Sequence, residues 1–223
     1  MRKKTVTWTK PADVAARLAE IGFPLDVLAT TIDVWIAGMN AGTPFHAENY
    51  PGTIAYHEAL ATLRIEGKAH GLEKLSRDGV QLCLCPATKI AVVICQGDGR
   101  TGDIDNIDVK PTTKYKRGRG SRELLEAQLS LFAEDTASTD NDPYDVWILL
   151  LRMTPAGEAI AELSWPSVID VKVNAKREER GTILDWHERI MLGTFNAGPR
   201  DARSLPGDLS PTGDVVVPVK KRG

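Results

Sequence analysis

Two stretches decide the fold: VQLCLCPATKIAVVICQ at residues 80–96 and YDVWILLLRMTPAGEAIAELSW at residues 144–165. In the first, two short apolar runs flank Pro86-Ala87-Thr88, the signal of a β-hairpin. In the second, residues 144–153 and 158–165 flank the turn Thr154-Pro155-Ala156-Gly157 and predict another hairpin. Unbroken apolarity from Val146 through Leu151 predicts a central strand covered on both faces. The alternation of Ile160, Ala161, Glu162, Leu163 and Ser164 predicts an edge or half-exposed partner.

Register follows from the first turn. A tight turn at residues 86–89 pairs Cys85 with Ile90 and Cys83 with Val92. Period two then sets Cys83 and Cys85 on one face of the sheet and Cys95 on the other. Three thiolates so arranged do not converge on a zinc ion, and the expected role is that of buried core thiols.

Outward from the hairpins, the N-terminal third reads as helical. Pro11 suits a first helical position, and its Ala-rich segment ends at Gly22. Leu25, Leu28, Ile32, Trp35, Ile36 and Met39 recur at three- and four-residue spacing after Pro24, closed by Gly38 and Gly42. A third helix is expected over about residues 54–66, with Thr53 as N-cap and Ala59, Leu60 and Leu63 buried. Ser121 caps a predicted helix through Leu124, Leu125, Leu129 and Phe132, followed by a polar linker at 134–142. Residues 170–180 are expected to loop out, and 184–192 to return to the core through Trp186 and Ile190. The expected fold is therefore α+β, with N-terminal helices packed on a mainly antiparallel sheet of about four strands built from two β-hairpins. Residues 1–193 form one domain in this reading, and 194–223 a poorly ordered tail.

Composition narrows function only by class. With 42% hydrophobic and 26% charged residues and a net charge of -2, a nucleic-acid surface would have to be local. Met1-Arg2-Lys3-Lys4 is not followed by an apolar core, and no stretch has the length of a membrane span, so no membrane role and a cytoplasmic location are expected. Three cysteines, an odd count, fit a reducing compartment.

The motifs are weaker than their outlines. Gly97-Asp98-Gly99-Arg100-Thr101-Gly102 matches G-x-G-x-x-G, but the strand before it belongs to a hairpin and no helical stripe follows. It reads as a glycine-rich turn. Asp98, Asp103, Asp105 and Asp108 lack EF-hand spacing and read as a solvated acidic loop, so no metal or cofactor is expected. Asp145 followed by Asp170-Val171-Lys172 imitates the PD-(D/E)-x-K nuclease site. Three acid-x-Lys matches occur in the chain, no meaningful excess over what its acid and lysine frequencies give by chance. Asp170 is moreover placed in a charged loop past the edge strand, which would fix a metal poorly. His46, His57, His70 and His187 have neither metal nor triad spacing; His57 and Glu58 read as surface or cap residues on a helix. Asp185-Trp186-His187-Glu188-Arg189 reads as the ion-paired end of a helix or strand, with an acid–base pair as the alternative.

The basic run is the most suggestive feature. Lys110, Lys114, Lys116, Arg117, Arg119 and Arg122 fall close together, with Tyr115 among them. Cations contact phosphates and Tyr115 offers a stacking face, while the alternative is a solvated loop that pairs with the aspartates upstream.

Several segments also resemble one another's counterparts in a known group: Tyr56-His57-Glu58-Ala59-Leu60, the glycine loop with Asp103, and Pro111 through Gly118. Trp147-Ile148-Leu149-Leu150, Ala161 through Pro166 and Trp186 through Ile190 continue in order. Over roughly residues 50–195 the arrangement is similar to an uncharacterised family of bacterial hypothetical proteins, some carried on phages or other mobile elements. The resemblance implies a mobile-element context and no catalytic role. The expected function is a non-catalytic accessory protein binding nucleic acid, or a protein that handles it, through residues 110–122. The alternatives are a metal-dependent PD-(D/E)-x-K-like nuclease and a protein-interaction module or inhibitor.

Overall fold

The computed structural model describes residues 4–77, 79–104, 110–114, 144–173 and 179–196, with the backbone alone at 171–173 and 179–181. In chain order the elements are β1 (Val6–Trp8), α1 (Pro11–Ile21), α2 (Leu25–Met39), α3 (Tyr50–Lys68), β2 (Glu73–Arg77), β3 (Val80–Cys85), β4 (Ile90–Gln96), β5 (Asp145–Met153), β6 (Ala159–Val173) and β7 (Glu179–Phe195). The strands form one sheet in the order β1-β7-β6-β5-β4-β3-β2.

The class is α+β, but the expected four-stranded antiparallel sheet is overturned: the sheet is mixed and has seven strands. The two predicted hairpins exist, yet β4 and β5 join them as parallel neighbours, from Ile90↔Asp145 to Gln96↔Leu151. At the ends, β1 pairs with β7 in parallel and β2 pairs with β3 antiparallel. Residues 170–180, expected to loop out, continue β6 to Val173 and begin β7 at Glu179, with Asp170 opposite Thr182. Nor is β6 an edge. It lies between β5 and β7, and its polar alternates Glu162 and Ser164 are buried. The alternation marked two covered faces, one of them lined by polar groups that pair with each other.

The predicted register of the first hairpin holds at Cys85↔Ile90 and Cys83↔Val92. Cys83 and Cys85 lie in the core cluster under the helices, and Cys95 in the cluster on the opposite face. Burial pushes the Cys83 thiol up to about 11, with Arg64 opposing the shift. Strand β5, fourth of seven, is buried from Val146 through Leu151, as its composition requires.

The three helices cover one face of the sheet, packing Leu18, Phe23, Ile32, Trp35 and Leu63 over Val92, Trp147 and Leu149. Helix α3 begins at Tyr50 rather than near residue 54, and Thr53 is not its cap: its Oγ1 donates to the Asn49 carbonyl from within the first turn. Glu188, 8% exposed, clamps α1 and β1 to β7, accepting bonds from Trp8 Nε1 at 2.6 Å and from Arg17 Nε and Nη2 at 2.6 and 3.0 Å. That hydrogen bond holds the Arg17 guanidinium above its ordinary range, against the desolvation that opposes it. The predicted helix at Ser121, the linker at 134–142 and the tail beyond residue 196 lie outside the described residues. Among the described residues, no single helix is long and apolar enough to cross a membrane.

Candidate binding cleft

A cleft opens where β3 parts from β4. Their ladder holds only three pairs, ending at Cys83↔Val92, whereas β4 pairs with β5 along its whole length. The resulting cleft, of about 810 Å³, has Val80 and Gln81 on one side and Ile94 and Gln96 on the other. Trp35 and Met39 of α2 and Thr53, Tyr56 and His57 of α3 form its roof. This volume suits an organic ligand or a short piece of a polymer.

Two observations define its chemistry. Its polar groups are of mixed kind: Glu48, Asn49, His57, Gln81, Gln96 and Lys114 stand beside the aromatic Trp35 and Tyr56. And Lys114 reaches it because residues 112–114 run alongside the end of β4. The Lys114 N–H donates to the Gln96 carbonyl at 2.8 Å, and Asp98 N–H to Thr112 at 2.9 Å. A shallower hollow of about 450 Å³ shares Met39, Glu48 and Pro51. Beside it a turn is held by His46 N–H on the Thr43 carbonyl and by Thr43 N–H on His46 Nδ1, both 3.0 Å. This turn carries Phe45, 98% exposed.

The basic run divides. Lys110 Nζ lies 2.7 Å from Thr5 Oγ1 and 3.6 Å from Asp185, half-buried against β7. Lys114 is exposed at the cleft. Tyr115, Lys116, Arg117, Arg119 and Arg122 lie outside the described residues. So do Asp105 and Asp108 of the acidic loop, whose Asp98 accepts from Arg100 N–H at 3.1 Å within a turn.

The glycine motif is turn chemistry fitted to the sheet. No helix opens within it among the described residues. A Cβ on Gly97 would stand 2.0 Å from Thr101 Oγ1, and Gly102, at φ 75°, would press one to 2.1 Å from Ile160. The absence of side chains lets the loop lie on β6, where Gly102 N–H donates to Glu162 Oε2 at 3.1 Å. Glu162 also accepts from Ser164 Oγ and from Arg189 Nη2, and its carboxylate and the guanidinium are 0% and 1% exposed. Thus Glu188 and Arg189 are ion-paired within β7, with Arg17 and Glu162.

Asp145 and Asp170 are not brought together. Asp145 opens β5 beside Ile90, while Asp170 lies six residues beyond Ser164, the last β6 residue paired with β5. Lys172 has no described side chain. Among the described residues no three His, Cys, Asp or Glu side chains gather as a metal site. Burial raises the Asp145 carboxyl above its usual range, with His187 opposing. An acid whose folded pKa is raised costs stability once pH exceeds that pKa, and costs nothing below its unfolded pKa. Asp145→Asn is therefore expected to raise the melting temperature at about pH 7 and to leave it unchanged at about pH 3. An equal shift at both, in thermal melts, would refute this account of its burial.

Sequence reasoning missed most of the cleft. Gln81 and Gln96 carry no motif, and they matter only because β3 and β4 diverge there. Of its lining, Lys114 alone stood among the expected binding residues; Trp35 and Met39 were placed on an apolar helix face, Thr53 as an N-cap and His57 as a surface or cap residue. No protein-family model, curated protein or solved structure matches this chain.

Proposed function

We propose that the protein is a non-catalytic binding module that holds a single-stranded nucleic acid along this cleft. The observation that supports it is the position of Lys114: the residue that leads into the basic run Tyr115–Arg122 lines a cleft walled by aromatic and amide side chains. In this reading Lys114 and the cations after it contact phosphates, while Gln81, Gln96 and Asn49 address base edges. Phe45 and Tyr56 provide stacking faces, which tolerate any base.

The test is fluorescence anisotropy of a labelled single-stranded oligonucleotide between 50 and 200 mM salt. Each phosphate contact on a single strand contributes about 0.7 to the log–log salt slope. Replacing Lys114, Lys116, Arg117 and Arg119 by alanine should lower the slope by up to about 3 and weaken binding at least tenfold at low salt. Phe45→Ala should weaken binding about tenfold with the slope unchanged. If the parent protein binds no oligonucleotide at 50 mM salt, or the quadruple variant binds as the parent does, the reading is wrong. Cleavage of the strand on adding Mg²⁺ or Mn²⁺, lost in Asp170→Ala, would replace it by the nuclease reading.

A further inference from the structure

Strand β2 ends the described sheet, and its charges run in a self-complementary order. Strand β2 is Glu73-Lys74-Leu75-Ser76-Arg77 and, among the described residues, hydrogen-bonds on one side only, to β3. Glu73, Lys74 and Ser76 are exposed, and Leu75 and Arg77 half-buried. The hairpin with β3 closes on Arg77↔Val80 across a two-residue connection, so that pair is of the hydrogen-bonded kind. By alternation Leu75↔Leu82 is too, consistent with Arg64 Nη2 reaching both carbonyls, at 3.2 and 2.9 Å. The intervening Lys74 and Ser76 therefore turn their backbone N–H and C=O groups outward.

From this register we propose that β2 pairs antiparallel with β2 of a second copy of this chain, centred on Leu75, to give one continuous sheet across a two-fold axis. Centring on Leu75 sets Lys74 opposite Ser76 of the second copy, so that the outward-facing backbone groups meet. It sets Leu75 opposite itself and Glu73 opposite Arg77, twice by symmetry. All three side chains share one face of the sheet, where Leu75 already packs beside the buried Leu82 and half-buried Val80 and Leu84. Other registers lose this match. Parallel pairing sets Glu73 beside Glu73, and an antiparallel shift of two residues sets Lys74 against Lys74. Five residues per copy bury far less than a standard interface of roughly 1,600 Å², so the dimer is expected at high micromolar protein concentration and not at nanomolar.

Sedimentation velocity across that range at low salt tests the idea with the full chain. Glu73→Arg and Arg77→Glu should each weaken the dimer about tenfold or more, by turning two attractive pairs into two repulsive ones. The double swap should restore it to within about threefold. All three are edge substitutions, and circular dichroism reports whether each variant is folded. Independently, Leu75→Cys should form an intermolecular disulfide under mild oxidation, because directly opposed residues have Cβ atoms about 5 Å apart. Lys74→Cys, which faces Ser76 rather than itself, should form much less; Cys83, Cys85 and Cys95 are buried. A parent protein that stays monomeric at every concentration overturns the proposal. So does a double swap no better than the single changes, or equal cross-linking at positions 74 and 75.

Discussion

Glu162→Ala is expected to destabilise the protein by about 3–5 kcal/mol, the usual cost of stranding one member of a buried ion pair. Arg189 is fully enclosed, and Glu162 is the one hydrogen-bond partner of its guanidinium among the described residues; Nε and Nη1 have none. The same carboxylate holds Gly102 N–H and Ser164 Oγ, so its removal also frees the glycine loop from β6. A pair with two donors unmet is poor compensation for desolvating two charges. The double change Glu162→Leu with Arg189→Met should accordingly recover most of the loss. Urea denaturation followed by circular dichroism measures all three proteins. A loss below about 1 kcal/mol in the single variant, or no recovery in the double, would sink the claim.

The contrast between what was legible and what was not follows from where side chains meet. The hairpin around Pro86 was readable to the residue because turn and period two together fix the register. Strand β5 was readable because a short apolar run bounded by turn signals fits a strand buried on both faces. The edges were not. Glu73-Lys74-Leu75-Ser76-Arg77 has little β-propensity, since an edge strand needs only one apolar face and is kept soluble by charge. Its one local signal was Asp78-Gly79 between two short runs, a dipeptide strongly associated with hairpin turns. In β7 the run Asp185 to Arg189 concealed a strand because its charges are satisfied across space, by Arg17 on α1 and Glu162 on β6. Such partners, 171 and 27 residues away, leave no trace in local pattern. The cleft was illegible for a related reason: it is made by two strands ceasing to pair, and single residues do not encode that event.

The roof of the cleft depends on one close approach, and Gly38→Val is expected to remove about 1–3 kcal/mol of stability by blocking it. A Cβ at Gly38 would stand 2.4 Å from Ala55 Cα and 2.7 Å from Ala55 N. Both are backbone atoms of α3, so no side-chain rotation relieves the contact and the two helices must separate. Intrinsic helix propensity works the other way, favouring alanine over glycine by about 0.5–1 kcal/mol and valine by less, so the steric term alone decides the sign. Gly52, in the first turn of α3, separates the two effects: nothing lies within 4 Å of its Cβ position, and Gly52→Ala should stabilise by about 0.5–1 kcal/mol. Gly38→Ala adds that Cβ and nothing beyond it, and is the variant chosen for binding measurements. Because Trp35 and Met39 come from α2 and Thr53, Tyr56 and His57 from α3, a displaced crossing alters the cleft itself. Oligonucleotide affinity should fall in Gly38→Ala while its salt slope stays that of the parent, since the cations are untouched. Stability in Gly38→Val equal to that of Gly52→Ala, by urea denaturation, would show that the crossing has room the backbone distances deny.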